Sequence, residues 1–321
     1  MAEKKDVLLS IVVPVYNEAI NLAGLNDALV KIGSDVAGDS YEIIYCNDGS
    51  HDNSAGIIKG FCEDNKRIKL ITLSRNFGKE VATTAALHSA TGKAIVTIDG
   101  DGQHPPELIP DFIKKWRSGA KVVVGVRQSN QGEGIVKRLG SKVFYKVFNW
   151  LSGIKQVPGS SDFRLIDQTV QQEFLRLTER GRITRSLIDW LGYNREYIRF
   201  KANPRISGDA GYSFKKLSKL FVDSIVSMSK SPLYISAYLG AFILPLSVLI
   251  GLVMIIDAII GDPLNWNVTG SAYVIVLLLF LVGVLLVSQG IIGLYLSHIH
   301  SETQNRPLYI IDKANSIGYD N

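Results

Sequence analysis

Two long stretches without a charged residue constrain this chain more than any other feature. They run from Leu233 to Ile256 and from Tyr273 to Leu296. As helices rising about 1.5 Å per residue, each would extend about 36 Å, enough to cross a hydrocarbon core about 30 Å thick. Helices of soluble proteins seldom run this far without a polar face. The sequence therefore predicts two transmembrane helices within 232–298, at about 233–257 and 272–297, in preference to a pair of buried core helices.

Basic residues flanking these stretches predict how the chain is oriented. The segments outside the two stretches carry Lys215, Lys216, Lys219, Lys230, Arg306 and Lys313, and the connecting loop 257–272 has neither Lys nor Arg. By the positive-inside rule, both ends of the chain lie in the cytoplasm and the loop lies outside. The charged start, residues 1–6, lacks the basic-then-apolar pattern of a signal peptide. We expect a multi-pass protein of the plasma membrane with a cytoplasmic tail at 299–321.

The segment 213–231, just before the first stretch, has the pattern of an amphipathic helix. Its apolar residues recur at steps of three and four, and lysines occupy the other face; the apolar set is Phe214, Leu217, Phe221, Ile225 and Met228. Such a helix suits the lipid headgroup layer. The alternative is an ordinary helix docked on the globular domain.

Residues 1–212 alternate strand-like and helix-like segments. The apolar runs predict strands at Leu8–Val15, Tyr41–Cys46, Ile68–Leu73, Ala94–Ile98 and Lys121–Val126. Helical patterns fall between them, at Glu18–Ile32, Ser54–Glu63, Lys79–Ala90 and Glu107–Arg117. The strand runs are continuously apolar, as expected where helices cover both faces of a sheet. The sequence thus predicts an α/β fold with a mostly parallel sheet.

Polar residues follow each of the five predicted strands. They are Pro14–Glu18, Asn47–Ser50, Ser74–Asn76, Asp99–Asp101 and Arg127. Ligands of open α/β sheets bind beyond the carboxyl ends of the strands, so these groups predict one binding rim. Neither a G-x-G-x-x-G nor a P-loop pattern is present, which leaves dinucleotide binding and P-loop chemistry without support.

Asp99 and Asp101 stand two residues apart with glycines at 100 and 102. In an extended chain the two carboxylates point to the same side and repel unless a cation lies between them. Oxygen ligands suit Mg²⁺ or Mn²⁺, and Mg²⁺ commonly takes one or two carboxylates plus substrate phosphates. An EF-hand is excluded because His104 and Pro110 stand where it needs Gly and Glu. A plain Asp-Gly turn is the remaining alternative.

Together these segments resemble glycosyltransferase family 2, whose nucleotide-sugar domain has the GT-A fold. The resemblance rests on Pro14–Glu18, Asn47–Ser50, Ser74–Lys79, Gly125–Arg127 and the run Asp99–Gln103 followed by Pro105–Glu107. It implies a metal held by Asp99 and Asp101. It also implies a nucleotide-sugar site formed by Pro14, Tyr16, Asn17, Glu18, Asp48, Gly49, Ser50, Arg75, Lys79, Asp99, Gly100 and Gln103.

The two apolar stretches narrow the resemblance to the polyprenyl-phosphate glycosyltransferases of this family. Arg306–Tyr309 and Gly290–Leu296 are similar to segments of its bacterial branch, and the Q-x-x-R-W pattern of processive synthases is missing. The resemblance implies an inverting, metal-dependent transfer of a hexose, with glucose from UDP-glucose as donor and undecaprenyl phosphate as acceptor. Many relatives place an acceptor-side Asp where Gly159 stands here, so we assign that role to Asp162, with a local cap or an ion pair with Arg164 as the alternative.

Binding of the acceptor phosphate requires cations, because the phosphate is anionic. The candidates are Arg127, Arg182, Arg185 and Lys201. Arginine grips phosphate with two parallel hydrogen bonds. The arginines between 176 and 185 could equally form a solvated helix face.

Three other functions stay open at this point. One is mannosyl transfer from GDP-mannose, one is a membrane-tethered protein that binds nucleotide sugars without transferring them, and one is a lipid flippase, which the lack of intramembrane charges disfavours. A net charge of +5 without a basic, aromatic-rich stripe argues against nucleic acid as a partner. The sequence leaves a homo-oligomer open, and it predicts Cys46 and Cys62 as free buried thiols.

Overall fold

The computed structural model describes residues 7–128, 157, 159–203 and 270–319, and scattered positions between 234 and 259. The chain divides into two compact units. The first comprises residues 1–149, 154–212 and 306–321, and the second comprises 150–153 and 213–305.

The first unit is built on a seven-stranded sheet with the order β3-β2-β1-β4-β6-β5-β7. The strands are β1 (Leu9–Val15), β2 (Tyr41–Asn47), β3 (Ile68–Thr72), β4 (Ala94–Thr97), β5 (Val122–Arg127), β6 (Ser160–Asp167) and β7 (Arg195–Phe200). Its helices are α1 (Ala19–Ala37), α2 (Ser54–Asp64), α3 (Lys79–Ser89), α4 (Ile109–Arg117), α5 (Gln168–Arg176) and α6 (Thr184–Trp190), with 3-10 turns at Pro106–Leu108 and Lys313–Asn315. The predicted mostly parallel α/β sheet is confirmed.

The central strands are buried on both faces, which explains their continuous apolar runs. Every residue of β2 is buried, and β1 is buried except at Pro14. Leu22, Leu25 and Leu29 of α1 pack into the same core as the strands. Cys46 and Cys62 are buried free thiols, as predicted.

Two strands, β6 and β7, were not predicted from the sequence. Strand β6 runs antiparallel to both neighbours, between β4 and β5, so the fourth and fifth predicted strands are not adjacent. The first three residues of β6 are half-buried and polar, and half of β7 is exposed at the sheet edge. Neither strand therefore has the continuous apolar run that marked the others.

The last residues of the chain cover the edge of β3. Single bridges pair Leu73 with Ile311 and Leu70 with Ile317. The hydroxyl of Tyr309 lies 2.9 Å from Nδ1 of His88. This tail is a structural part of the first unit.

The second unit contains helix α7 (Gly270–Thr303). Its segment Phe280–Thr303 is long and apolar enough to cross a membrane, and none of its apolar window is buried. Among the residues that the structure describes, it is the one helix with these properties. It overlaps the second predicted span.

The first predicted span falls mostly outside the described residues. The positions described there, such as Tyr234, Phe242 and Leu249, are helical and exposed. The segment 213–231, predicted as an interfacial helix, lies outside the described residues. The first span and the orientation of the chain stay predictions.

Candidate active site

The antiparallel pairing of β4 with β6 brings Asp99 and Asp162 together. Thr97 of β4 stands opposite Arg164 of β6. Two residues onward along β4 is Asp99, and two residues back along β6 is Asp162, so both stand at the carboxyl end of β4. The Thr97 hydroxyl donates to the carbonyl of Asp162 at 2.6 Å, which fixes this register.

Lys79, the first residue of α3, joins these two carboxylates. Its ammonium lies 2.8 Å from Asp99 Oδ1 and 2.7 Å from Asp162 Oδ2. Burial opposes the charge of the ammonium, but the two carboxylates raise the pKa of Lys79. Likewise burial alone would raise the pKa of Asp162, yet Lys79 and then Arg185 hold that pKa well below its usual range. The lysine and Asp162 are therefore both charged at neutral pH.

The Asp48 carboxylate positions the backbone that leads into Lys79. It accepts the N–H groups of Phe77 at 2.7 Å and of Gly78 at 2.9 Å. Gly78 has a φ of +96°, a conformation that glycine adopts without strain. Burial raises the pKa of Asp48, and the two N–H donors partly offset this. The structure thus gives Asp48 a loop-holding role, and its predicted contact with the nucleoside stays a prediction.

The ends of β1 and β2 are tied by side chains that accept backbone N–H groups. The Asn17 N–H donates to Ser50 Oγ at 3.0 Å, and the His51 N–H donates to Asn17 Oδ1 at 2.8 Å. The Glu18 N–H donates to Ser54 Oγ at 3.0 Å. Ser54 was not predicted as a site residue, because its sequence signal is only that of a residue beginning a helix.

His104 anchors the loop that carries the two aspartates. Its Nδ1 accepts the backbone N–H of Asp99 at 3.3 Å, and its ring stacks on Phe163 with centroids 5.2 Å apart. Burial lowers the pKa of His104, so the ring is neutral and Nδ1 is free to accept. No role was predicted for His104, because its ring is placed by Phe163 and Phe200, which are distant in the chain.

Asp101 and Gln103 complete the same loop. The Gln103 N–H donates to Asp101 Oδ1 at 3.1 Å, and Arg127 donates to Gln103 Oε1 at 3.3 Å.

A cavity of about 300 Å³ opens beside the loop. Among the predicted residues, it is lined by Pro14, Tyr16, Glu18, Asp48, Lys79, Asp99, Gly100 and Asp101. The remaining donor-site residues (Asn17, Gly49, Ser50, Arg75 and Gln103) do not line it.

The four predicted phosphate-binding cations occupy different surroundings. Arg127 is exposed next to Gln103, and Lys201 is exposed just after β7. Arg185 is near enough to lower the pKa of Asp162. Arg182 is buried, lies over the Phe174 ring and donates to the Leu177 carbonyl at 2.9 Å. The structure thus shows Arg182 in a packing contact, and its predicted contact with the acceptor phosphate stays a prediction.

Arg164 does not pair directly with Asp162, although such a pair was the alternative role for that carboxylate. Its guanidinium is buried, donates to the carbonyls of Ser161 and Arg185, and lies 3.7 Å from Asp189. Asp162 instead contacts Lys79, and its Oδ1 is buried with no hydrogen-bond partner in the described part of the chain.

The residues present fit a divalent cation that also binds the donor. Within the described residues there is no cluster of three or more His, Cys, Asp or Glu suited to a metal ion. Asp99 and Asp101 would leave most coordination positions to phosphate oxygens and water, which is the usual arrangement for Mg²⁺. The Lys79 ammonium between Asp99 and Asp162 shows that a cation is accommodated here.

Comparison with known proteins decides the family. The sequence matches the glycosyl transferase family 2 domain over residues 10–217. The chain belongs to this family. It is 40% identical to an uncharacterized glycosyltransferase (sll0501) of Synechocystis over 97% of this chain and 96% of that protein. It is 34% identical to the bactoprenol glucosyl transferase of Shigella phage SfII, over 95% of this chain and 98% of that relative.

A solved structure shows the same fold at low sequence identity. Mannosyl-3-phosphoglycerate synthase from Rubrobacter xylanophilus superposes with a TM-score of 0.50 and 17% identity, covering 69% of this chain and 72% of that one. The family 2 resemblance and the GT-A α/β fold predicted from sequence are confirmed, and the protein is a glycosyltransferase.

Proposed function

We propose that this family 2 glycosyltransferase transfers glucose from UDP-glucose to the phosphate of undecaprenyl phosphate at the cytoplasmic face of the membrane. The observation that carries the proposal is the convergence of Asp99, Lys79 and Asp162 at the mouth of a cavity lined by the predicted donor residues. The choice of sugar and lipid is supported by full-length relatives that are named bactoprenol glucosyl transferases.

The donor occupies the cavity in this proposal, with its nucleoside towards Tyr16 and Asp48 and its diphosphate towards Asp99 and Asp101. Asp99 and Asp101 would hold a Mg²⁺ or Mn²⁺ ion, which would neutralise the charge of the leaving diphosphate. Gly100 lies close to the Pro14 carbonyl, since a Cβ there would be 3.3 Å from that oxygen. The glycine therefore keeps the metal-binding loop against the donor strand.

The acceptor phosphate attacks the anomeric carbon in one displacement that inverts its configuration. A phosphate monoester, with a second pKa near ~6, is largely ionised at neutral pH and needs no strong base. The lowered pKa makes Asp162 a weak base. We assign Asp162 the orientation of the acceptor and its cationic partners, and we assign Arg127, Arg185 and Lys201 the screening of the phosphate.

The membrane segments keep the site next to a lipid that cannot leave the bilayer. The exposed apolar segment of α7 supports membrane association. We propose a catalytic domain at 1–212, an interfacial helix at 213–231, two spans within 232–298 and a cytoplasmic tail at 299–321. Anchoring raises the effective concentration of the lipid acceptor at the site.

A direct assay tests this function. The full chain in nanodiscs is incubated with undecaprenyl phosphate and either UDP-glucose or GDP-mannose, with Mg²⁺, Mn²⁺ or EDTA. We expect a hexosylated lipid by mass spectrometry with UDP-glucose and a divalent ion, and none with EDTA.

Each other outcome has a defined meaning. Product from GDP-mannose alone would replace glucose by mannose in the proposal. Donor binding without any lipid-linked product would indicate a nucleotide-sugar-binding protein. Undiminished turnover in EDTA would show that the reaction does not need a divalent ion.

A further inference from the structure

The Lys79 ammonium contacts Asp99, one of the two carboxylates that would bind the proposed metal. Its Nζ lies 2.8 Å from Oδ1 and 2.9 Å from Oδ2 of Asp99, and 2.7 Å from Asp162 Oδ2. Both oxygens of Asp99 thus contact a monovalent cation.

The backbone on both sides of this contact is fixed. The two residues before Lys79 donate their N–H groups to Asp48, and the Gly78 carbonyl accepts the N–H groups of Val81 and Ala82 in the first turn of α3. The N–H of Asp99 is bound by His104. The Lys79 side chain is 45% exposed, so only its flexible stem has to move for the ammonium to leave Asp99.

Electrostatics makes the ammonium and a divalent ion alternatives at Asp99. Without any cation, the Asp99 and Asp162 carboxylates would face each other and repel. With both cations within bonding distance of the same carboxylate, the ammonium and the metal would repel each other strongly. Because the ammonium contacts both oxygens of Asp99, a divalent ion can bind this carboxylate only by displacing the ammonium from at least one of them.

We propose that Lys79 is an internal cation that holds Asp99 in the unloaded enzyme and competes with the divalent ion for that carboxylate. The proposal rests on the metal site of the proposed function and deepens it. The divalent ion alone binds Asp99 weakly. The donor diphosphate adds oxygen ligands and so favours the divalent ion over the Lys79 ammonium. Once displaced, the ammonium stays with Asp162 and faces the anionic acceptor, so the metal-bound donor binds before the lipid phosphate.

Metal binding to the nucleotide-free protein tests the competition without any turnover. Free Mn²⁺ is titrated by electron paramagnetic resonance against the full chain and its Lys79→Met, Lys79→Gln and Lys79→Arg variants. Both neutral variants should bind Mn²⁺ about tenfold or more tightly than the unmodified chain, because a competing positive charge is gone. Lys79→Arg keeps the charge and should stay within about threefold.

A matched control separates direct competition from a general change of charge. Arg75 belongs to the same rim, but its guanidinium lies over the Phe77 ring and does not contact Asp99. Arg75→Met should therefore raise Mn²⁺ affinity by less than about threefold. Thermal unfolding of each variant confirms that the fold persists.

The outcomes distinguish this proposal from the function on which it rests. If the neutral Lys79 variants bind Mn²⁺ no more tightly than the unmodified chain, or if Arg75→Met gains as much as they do, the competition is refuted while the metal-dependent function stands. If no protein binds Mn²⁺ even with UDP present, the metal site and the competition are refuted together.

Discussion

The two halves of the binding rim hold their polar groups in different ways. In the donor half, formed by residues after β1 and β2, Asn17, Asp48 and Ser50 accept backbone N–H groups from neighbouring loops. In the reaction half, formed after β4 and at the start of β6, Asp99 and Asp162 contact the charged Lys79. The donor half is thus organised by backbone hydrogen bonds, whereas the reaction half holds charged groups that we propose change partners when substrates bind.

Asp99→Asn should give the largest effect and tests the reaction half. The substitution keeps the shape of the side chain but removes the charge that would bind the metal. We expect kcat to fall by about 100- to 1000-fold, the usual loss when one transition-state stabiliser is removed. Lipid-linked product measured at saturating donor gives the rate.

The matched control is Asp39→Asn, which removes an exposed carboxylate that pairs with Arg67 away from the rim. It should leave the rate within about twofold, because exposed ion pairs contribute little. An Asp99→Asn enzyme with more than a tenth of the unmodified rate would contradict the charge-based role of the reaction half.

Asp48→Asn tests the donor half and should affect donor binding more than the catalytic rate. The amide retains one acceptor oxygen and turns an NH₂ group towards a backbone N–H, which costs about 1–3 kcal/mol. We expect weaker donor binding by calorimetry and a lower melting temperature, with kcat at saturating donor reduced less than tenfold. A large fall in kcat at unchanged donor affinity would mean that the two halves are not distinct.

His104→Phe tests how the backbone of the reaction half is held. Phenylalanine preserves the stacking on Phe163 but removes the acceptor for the Asp99 N–H, a loss of about 1–2 kcal/mol in the free energy of unfolding. The measurement is chemical denaturation of the two proteins side by side. Equal stability of the two would show that this hydrogen bond does not hold the loop.

The same variant should change how stability depends on pH. Because burial lowers the pKa of His104 below 6.5 in the folded chain, the unfolded chain takes up this proton first as pH falls. The contribution of His104 to stability is therefore complete above pH 6.5 and decreases below it. His104→Phe should lose stability less steeply as the pH falls below 6.5. Parallel curves for the two proteins would contradict the assignment.

Tyr309→Phe should give the smallest effect, since it lies outside both halves. It removes the hydroxyl that meets His88 and leaves the rest of the tail in place. We expect a loss of about 0.5–1 kcal/mol in stability and no change in donor affinity. A clear change in donor affinity would show that the tail influences the donor half through β3.

Much of the fold could be predicted, because central strands and amphipathic helices leave regular patterns in the sequence. The five buried strands begin and end within a few residues of their predicted positions, and the polar segments after them include most of the residues lining the cavity. Strands β6 and β7 left no such pattern, since one is half polar and the other lies exposed at the sheet edge.

The candidate site was predicted as a set of residues but not as an arrangement. Asp162 was placed on the acceptor side by resemblance, and the structure shows why it can reach Asp99: an antiparallel strand returns it to the same rim. Arg182 was predicted from its charge alone, and only the structure shows that its guanidinium is buried against Phe174.

The sequence by itself determined the family, the positions of the five buried strands along the chain, the pair Asp99 and Asp101, and the apolar stretches. Each of these is encoded by residues close together in the chain. Only the tertiary structure decided that Lys79 bridges Asp99 and Asp162 and that His104 holds the Asp99 backbone. The lysine contacts depend on the start of α3 and on strand register, since Lys79 and Asp162 come together only because β6 pairs with β4 in the opposite direction. His104 is only five residues from Asp99, but its ring is placed by stacking on the distant Phe163.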